Sequence, residues 1–122
     1  MSYELIWEPR GVIKRYFGVL TSRDLIEPVE RTESDPRFDN LRYVINDFVA
    51  VDGLDLGPFD VDHVAAVDHA AAKTNDNIWI AVVTTSSDVI ALVERYAELS
   101  RNAFPTRIFD TMTQARSWLA DR

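Results

Sequence analysis

The sequence predicts an α/β domain in which a β-hairpin is followed by β-α repeats, giving a mostly parallel five-stranded sheet with about four helices. Three observations carry that expectation. Asn77–Thr85 (NIWIAVVTT) contains six consecutive apolar residues, Ile78 to Val83, rich in β-branched side chains and closed by Thr84-Thr85-Ser86-Ser87. A run without polar alternation reads as a strand covered on both faces, and it is too short to span a membrane. Tyr3–Glu8 alternates by contrast, with Tyr3, Leu5 and Trp7 on one side and Glu4 and Glu8 on the other, the mark of a half-buried strand. Helix-period segments then separate the remaining strands, in the order β-β-α-β-α-β-α-β-α.

Each element has a local cause. Pro9-Arg10-Gly11 turns the chain into a returning strand, Val12–Leu20, whose mid-strand Lys14 and Arg15 place it near a sheet edge. Thr21-Ser22 caps a helix through Leu25, Ile26 and Val29, which Pro28 should keep short or kinked. Pro36 bars helix at Asp35, so 34–40 is a turn-rich connection before a third strand, Leu41–Phe48. A loop, Val49–Phe59, with Gly53, Gly57 and Pro58 then opens onto Asp60 or Asp62 as the cap of a helix to about Lys73. That helix should turn Val64, Val67 and Ala71 inward, and Asp62, His69 and Lys73 outward. Ser86 or Ser87 caps the next helix, with an apolar stripe of Val89, Leu92, Val93, Tyr96 and Leu99. After Pro105 comes a short strand, Thr106–Phe109. Thr111 starts the last helix, Gln114 completes its capping box, and Ala115, Trp118 and Leu119 face the core.

Composition sets the outer bounds. The chain has 122 residues, 47% of them hydrophobic, which suits one domain over 1–122 with a core able to fold unaided. It has no cysteine, excluding disulfides, thiol catalysis and thiolate-bound zinc. MSYELIWEPRG is acidic where a secretory signal is basic, so a cytoplasmic protein without a membrane span is expected. The net charge of −7 opposes general nucleic-acid binding, which needs cationic surface. Residues 51–76 hold six aspartates against Lys73 alone, and so carry −5 of that −7.

No catalytic constellation stands out. Asp47, Asp52, Asp55, Asp60 and Asp62 have carboxylates suited to a hard cation, but Asp52–Gly57 does not match a calcium loop, and turn and cap carboxylates are the preferred reading. His63 and His69 are six residues apart and cannot form an i,i+4 metal pair. Thr84-Thr85-Ser86-Ser87 lacks the glycines and lysine of a phosphate cradle and reads as a helix cap. Asp47 and Thr84 or Thr85 suggest a phosphoacceptor receiver domain, but no lysine follows the last strand. Ser86, His63 and Asp47 have no spacing that supports a triad. Trp7, Trp79 and Trp118 fit core positions. No metal or cofactor is expected.

DPRFDNLRYVINDF at 35–48, IAVVTT at 80–85 and TRIFDTMTQARSWL at 106–119 resemble the STAS family of anti-sigma-factor antagonist domains, and more closely a branch of uncharacterised bacterial STAS-like proteins. With the N-terminal hairpin, the similarity spans nearly the whole chain. It implies a regulatory, non-enzymatic domain. In that family a phosphorylatable serine or threonine begins the helix after the third strand. Here Asp47–Val64 reads DFVAVDGLDLGPFDVDHV, with no hydroxyl residue, so the phosphorylation switch does not carry over.

The expected function is therefore a protein-interaction domain without that switch; the alternative is a carrier of an apolar small molecule or lipid, which would need an interior hollow lined by Leu, Phe and Val. In a parallel sheet the working surface lies at the carboxyl ends of the strands. That places Asp47, Asp52, Leu54, Asp55 and Leu56 after the third strand, Thr84, Thr85 and Ser86 after the fourth, and Asp110 and Thr111 after the fifth. Aspartates around an apolar centre suit a protein partner with a basic patch. Equally, Leu54, Leu56 and Phe59 could tuck beneath the loop. Exposed sheet edges favour a homodimer through the hairpin or the acidic loop.

Overall fold

The computed structural model describes residues 2–122. Strands β1 (Tyr3–Trp7), β2 (Gly11–Thr21), β3 (Tyr43–Asp55), β4 (Trp79–Val83) and β5 (Thr106–Phe109) form one sheet in that spatial order. β1 pairs antiparallel with β2, and the other neighbours are parallel. Helices α1 (Ser22–Glu33), α2 (Asp60–Ala71) and α3 (Ser87–Leu99) each bridge adjacent parallel strands, and α4 (Met112–Trp118) follows β5. Right-handed crossovers that step always in one direction put their helices on one face of the sheet. Hence Leu25 and Val29 of α1, Val61 and Val64 of α2 and Val89 and Val93 of α3 meet Val12, Tyr16, Val44, Phe48, Ile80 and Val82 in one core. No further strand follows β5, which leaves α4 free to cover the opposite face, where Ala115 and Leu119 bury against Ile13, Ile45, Ala81 and Val83. β4 is enclosed on both sides, as its unbroken apolar run predicts. No helix among the described residues is long and apolar enough to cross a membrane.

The hairpin turn demands a residue without a side chain. A Cβ on Gly11 would stand 2.2 Å from the Tyr43 ring, because Gly11 and Tyr43 are register partners and the ring lies across the glycine. Gly18, at φ 74°, marks an irregularity where β2 shifts register against β3.

Several expectations need correction. β2 is flanked by β1 and β3, so Lys14 is not at an edge; its side chain is enclosed. α1 runs five residues beyond Pro28, whose wholly buried ring gains packing that offsets the missing hydrogen bond. Thr21 and Asp24 hold its start in a reciprocal capping box. The connection at 34–40 contains a 3-10 turn, Pro36–Asn40. β3 does not stop at Phe48: most of the expected loop is strand, because Ala50–Asp55 pairs with Phe17–Thr21 of β2. Neither Asp60 nor Asp62 caps α2, whose N-cap is Phe59 without a side-chain bond. The Asp60 carboxylate instead accepts from the Gly57 N–H at 2.6 Å and from the Ser22 hydroxyl, tying the starts of α1 and α2 together. α2 buries Val61, Val64, Ala65 and Asp68, a stripe rotated from the expected one, with Val67 and Ala71 only half-buried. Leu99 is exposed and Trp118 half-buried. The Gln114 side chain accepts from the Asp110 N–H, one residue before the cap itself.

Candidate functional site

The strand ends bring part of the expected site together. Asp47 is the register partner of Val83, and the Thr84 N–H donates to Phe109 O at 3.0 Å, so Asp47, Thr84 and Asp110 follow one another along adjacent strand ends. Their polar groups serve local structure. Asp47 accepts from Arg15 Nε at 3.4 Å and from the Val49 N–H at 3.0 Å. The buried Thr84 hydroxyl accepts from the Ser86 N–H at 3.0 Å, Ser86 from Val89 at 3.3 Å and Thr111 from Gln114 at 3.2 Å. These hydroxyls terminate helices and turns, and of the expected site hydroxyls Thr85 is the exposed one without such a role among the described residues. Asp52, Leu54, Asp55 and Leu56 lie elsewhere, on or just beyond the extension of β3 past the end of β4. Asp55 lies eight steps along the strand from Asp47, roughly 25 Å at about 3.3 Å per residue.

On that extension Leu54 and Leu56 pack against the main core, whereas Asp52 and Asp55 point to solvent. The large apolar side chains left exposed are different ones. Val49 is 68% exposed, Val19 52%, Phe59 75% and Phe17 36%. All four belong to the projecting ends of β2 and β3 or to the start of α2. Among the described residues no three His, Asp or Glu side chains gather closely enough to hold a metal ion.

A second feature lies inside the molecule, between the sheet and α1–α3. A hollow of about 70 Å³ is walled by Leu25, Val29, Phe38, Val44, Phe48 and Leu92, yet Lys14, Tyr16, Thr32, Glu33, Asn46, Asp68 and Tyr96 also line it. Lys14 is 6% exposed and Asp68 7%. The Tyr96 hydroxyl donates to Asp68 Oδ2 at 2.5 Å. Burial pushes the Glu33 carboxyl up to about 9, helped by its hydrogen bond to the Asp68 carboxylate, so Glu33 is protonated at neutral pH. Burial lowers the Lys14 pKa, while Asp68 and Glu33 oppose that shift. Burial also raises Tyr16 and Tyr96 far above the ordinary tyrosine value, keeping both hydroxyls protonated. The signal for this cluster in the sequence is the period-two spacing Val12-Lys14-Tyr16 and the helical spacing Val61-Val64-Asp68, which place Lys14 and Asp68 on the inward faces despite their charge.

No family model matches the chain, and no curated protein matches it. Solved structures do. The unphosphorylated form of the anti-sigma factor antagonist SpoIIAA superposes with a TM-score of 0.64 at 11% identity, covering 98% of this chain and 99% of that one. The phosphorylated form of the Bacillus cell fate determinant SpoIIAA gives 0.61 at 13% identity, over 96% and 98%. An uncharacterised protein of the DUF3478 family from Shewanella loihica PV-4, described as having a SpoIIAA-like fold, gives 0.56 at 16% identity, over 96% and 91%. With its antiparallel first strand, parallel β-α repeats and α4 alone on the far face, this chain has the SpoIIAA-like fold over nearly its whole length.

Proposed function

We propose that the chain is a non-enzymatic protein-interaction domain of regulatory type that works without a phosphorylation switch. The observation that carries this reading is the placement at one end of the fold of Phe17, Val19, Val49 and Phe59, four of the five exposed large apolar side chains among the described residues. Asp47, Asp52 and Asp55 stand on the same strand segments. An apolar centre with an acidic rim fits a protein partner that offers apolar side chains within a basic patch. The spread of the candidate residues favours a macromolecule as well. A partner that touches both Thr85 and Asp55 must span roughly 25 Å, estimated from about 3.3 Å per strand residue, which a small molecule does not. The resemblance to SpoIIAA supports a binding role, and the absence of any hydroxyl between Asp47 and Val64 removes the switch.

The experiment is a four-site variant, Val19→Ser, Val49→Ser, Asp52→Asn and Asp55→Asn, all at half- or fully exposed positions. Its melting temperature should stay near that of the parent while cross-linking to partner protein in cells is lost. Unchanged cross-linking would remove the assignment. Self-association through the same end is tested by light scattering at tens of micromolar, where a dimer mass that reverts to monomer in this variant is expected. The carrier alternative is narrowed by the size of the hollow, about 70 Å³, which has no room for a lipid chain.

A further inference from the structure

We infer that the hollow between the sheet and α1–α3 is a binding site for a short-chain monocarboxylate, its carboxylate head on Lys14 and Thr32 and its tail against Val29, Phe38 and Phe48. This site is separate from the surface proposed for a protein partner. An enclosed polar group without a partner is costly, and such groups point to something that completes them. The Thr32 hydroxyl is buried and makes no hydrogen bond among the described residues. Lys14 brings three donors into the same space at 6% exposure. Asp68 Oδ2 takes the Tyr96 hydroxyl at 2.5 Å. A carboxylate offers the unpartnered Thr32 hydroxyl and the Lys14 donors two acceptor oxygens, together with a charge opposite to that of Lys14.

Size and access limit the rest of the molecule. A space of 70 Å³ holds about five waters, so the ligand has roughly four to seven non-hydrogen atoms. The walls placed against the tail, Val29, Phe38 and Phe48, are aliphatic and aromatic, which disfavours a second charged group there. A groove on the outer surface, lined by Asp39, Val67, Ala70 and Thr74, shares Glu33 and Phe38 with the hollow. Those two side chains separate inside from outside, and Glu33 is only half-buried, so the path inward passes between them.

The test is methyl NMR of the whole chain titrated with acetate, butyrate, hexanoate and butyramide. Butyrate should shift the Val29, Val44 and Leu25 methyls saturably, with a dissociation constant of about 1 mM for so few atoms. Butyramide should bind ~10-fold more weakly, as expected for loss of a charge-assisted bond. Lys14→Met should abolish the shifts. If Lys14→Met does not fold, Thr32→Val should weaken binding ~5-fold. Val29→Phe, which fills the hollow and leaves the polar groups in place, should eliminate binding without lowering the melting temperature. The site is overturned if no carboxylate shifts these methyls, leaving a hollow that holds water only. It is also overturned if the shifts persist in the filled variant, are confined to the outer groove, or are equal for butyrate and butyramide.

Discussion

Arg116 and Glu8 lie 108 residues apart in the chain and form a two-pronged ion pair, Nη1 to Oε1 at 2.6 Å and Nη2 to Oε2 at 2.7 Å. The Tyr43 hydroxyl donates to the same glutamate, so the last helix is tied to the end of β1 across β3. Arg116 holds the Glu8 carboxyl below its ordinary value of 4.5. A depressed carboxyl contributes stability above its unfolded value and loses it as pH falls through the folded one. Arg116→Met should therefore cost about 0.5–1 kcal/mol at pH 7, kept small by the half-exposed guanidinium. The difference from the parent should vanish below the folded Glu8 value; urea midpoints across pH 3 to 7 would show it.

Glu33 has the opposite sign. Its folded value of about 9 lies above the ordinary 4.5, so between these the folded state holds a proton that the unfolded state releases. Stability should fall as pH rises across that window, by at most about 1.4 kcal/mol per unit and by less because the side chain is half-buried and screened by water. Glu33→Gln should flatten the slope between pH 5.5 and 8, as read from denaturation midpoints. Equal slopes in parent and variant would mean that Glu33 is ionised in the fold.

Trp118 stacks on Trp79 with centroids 4.8 Å apart and planes at 22°, and Phe109 tilts against it at 5.6 Å. The ring is half-buried, so Trp118→Ala should cost about 2 kcal/mol, below the 3–5 of a fully enclosed aromatic. A melting temperature lower by roughly 8 °C is expected. A shift of only a degree would show that the stack adds nothing to folding.

Val82, 1% exposed in β4, tests the central strand. Val82→Asp places an unpaired carboxylate against Val44, Ile80 and Val93 in the main core, at a cost of several kcal/mol. The variant should lose its near-ultraviolet circular dichroism at 25 °C. A folded Val82→Asp protein would disprove full enclosure of β4.

What the sequence determined by itself was the order of elements, most of their caps and the identity of the central strand. These depend on near neighbours: Thr21 with Asp24, Ser86 with Val89 and Thr111 with Gln114 are all three residues apart. Full coverage of β4 was legible too, since an apolar run without alternation leaves no face for water.

Tertiary structure decided the rest. Val49–Asp55 carries two acids and a glycine and reads as loop, yet it is strand because β2 extends alongside and pairs with it. Lys14 looks like an edge residue until β1 and β3 flank it. Beneath the helices burial lowers its pKa, and the Asp68 carboxylate from α2, 54 residues along the chain, opposes that shift. No local pattern encodes such a meeting, because the carboxylate that favours a buried ammonium comes near only when the sheet and three helices close around it.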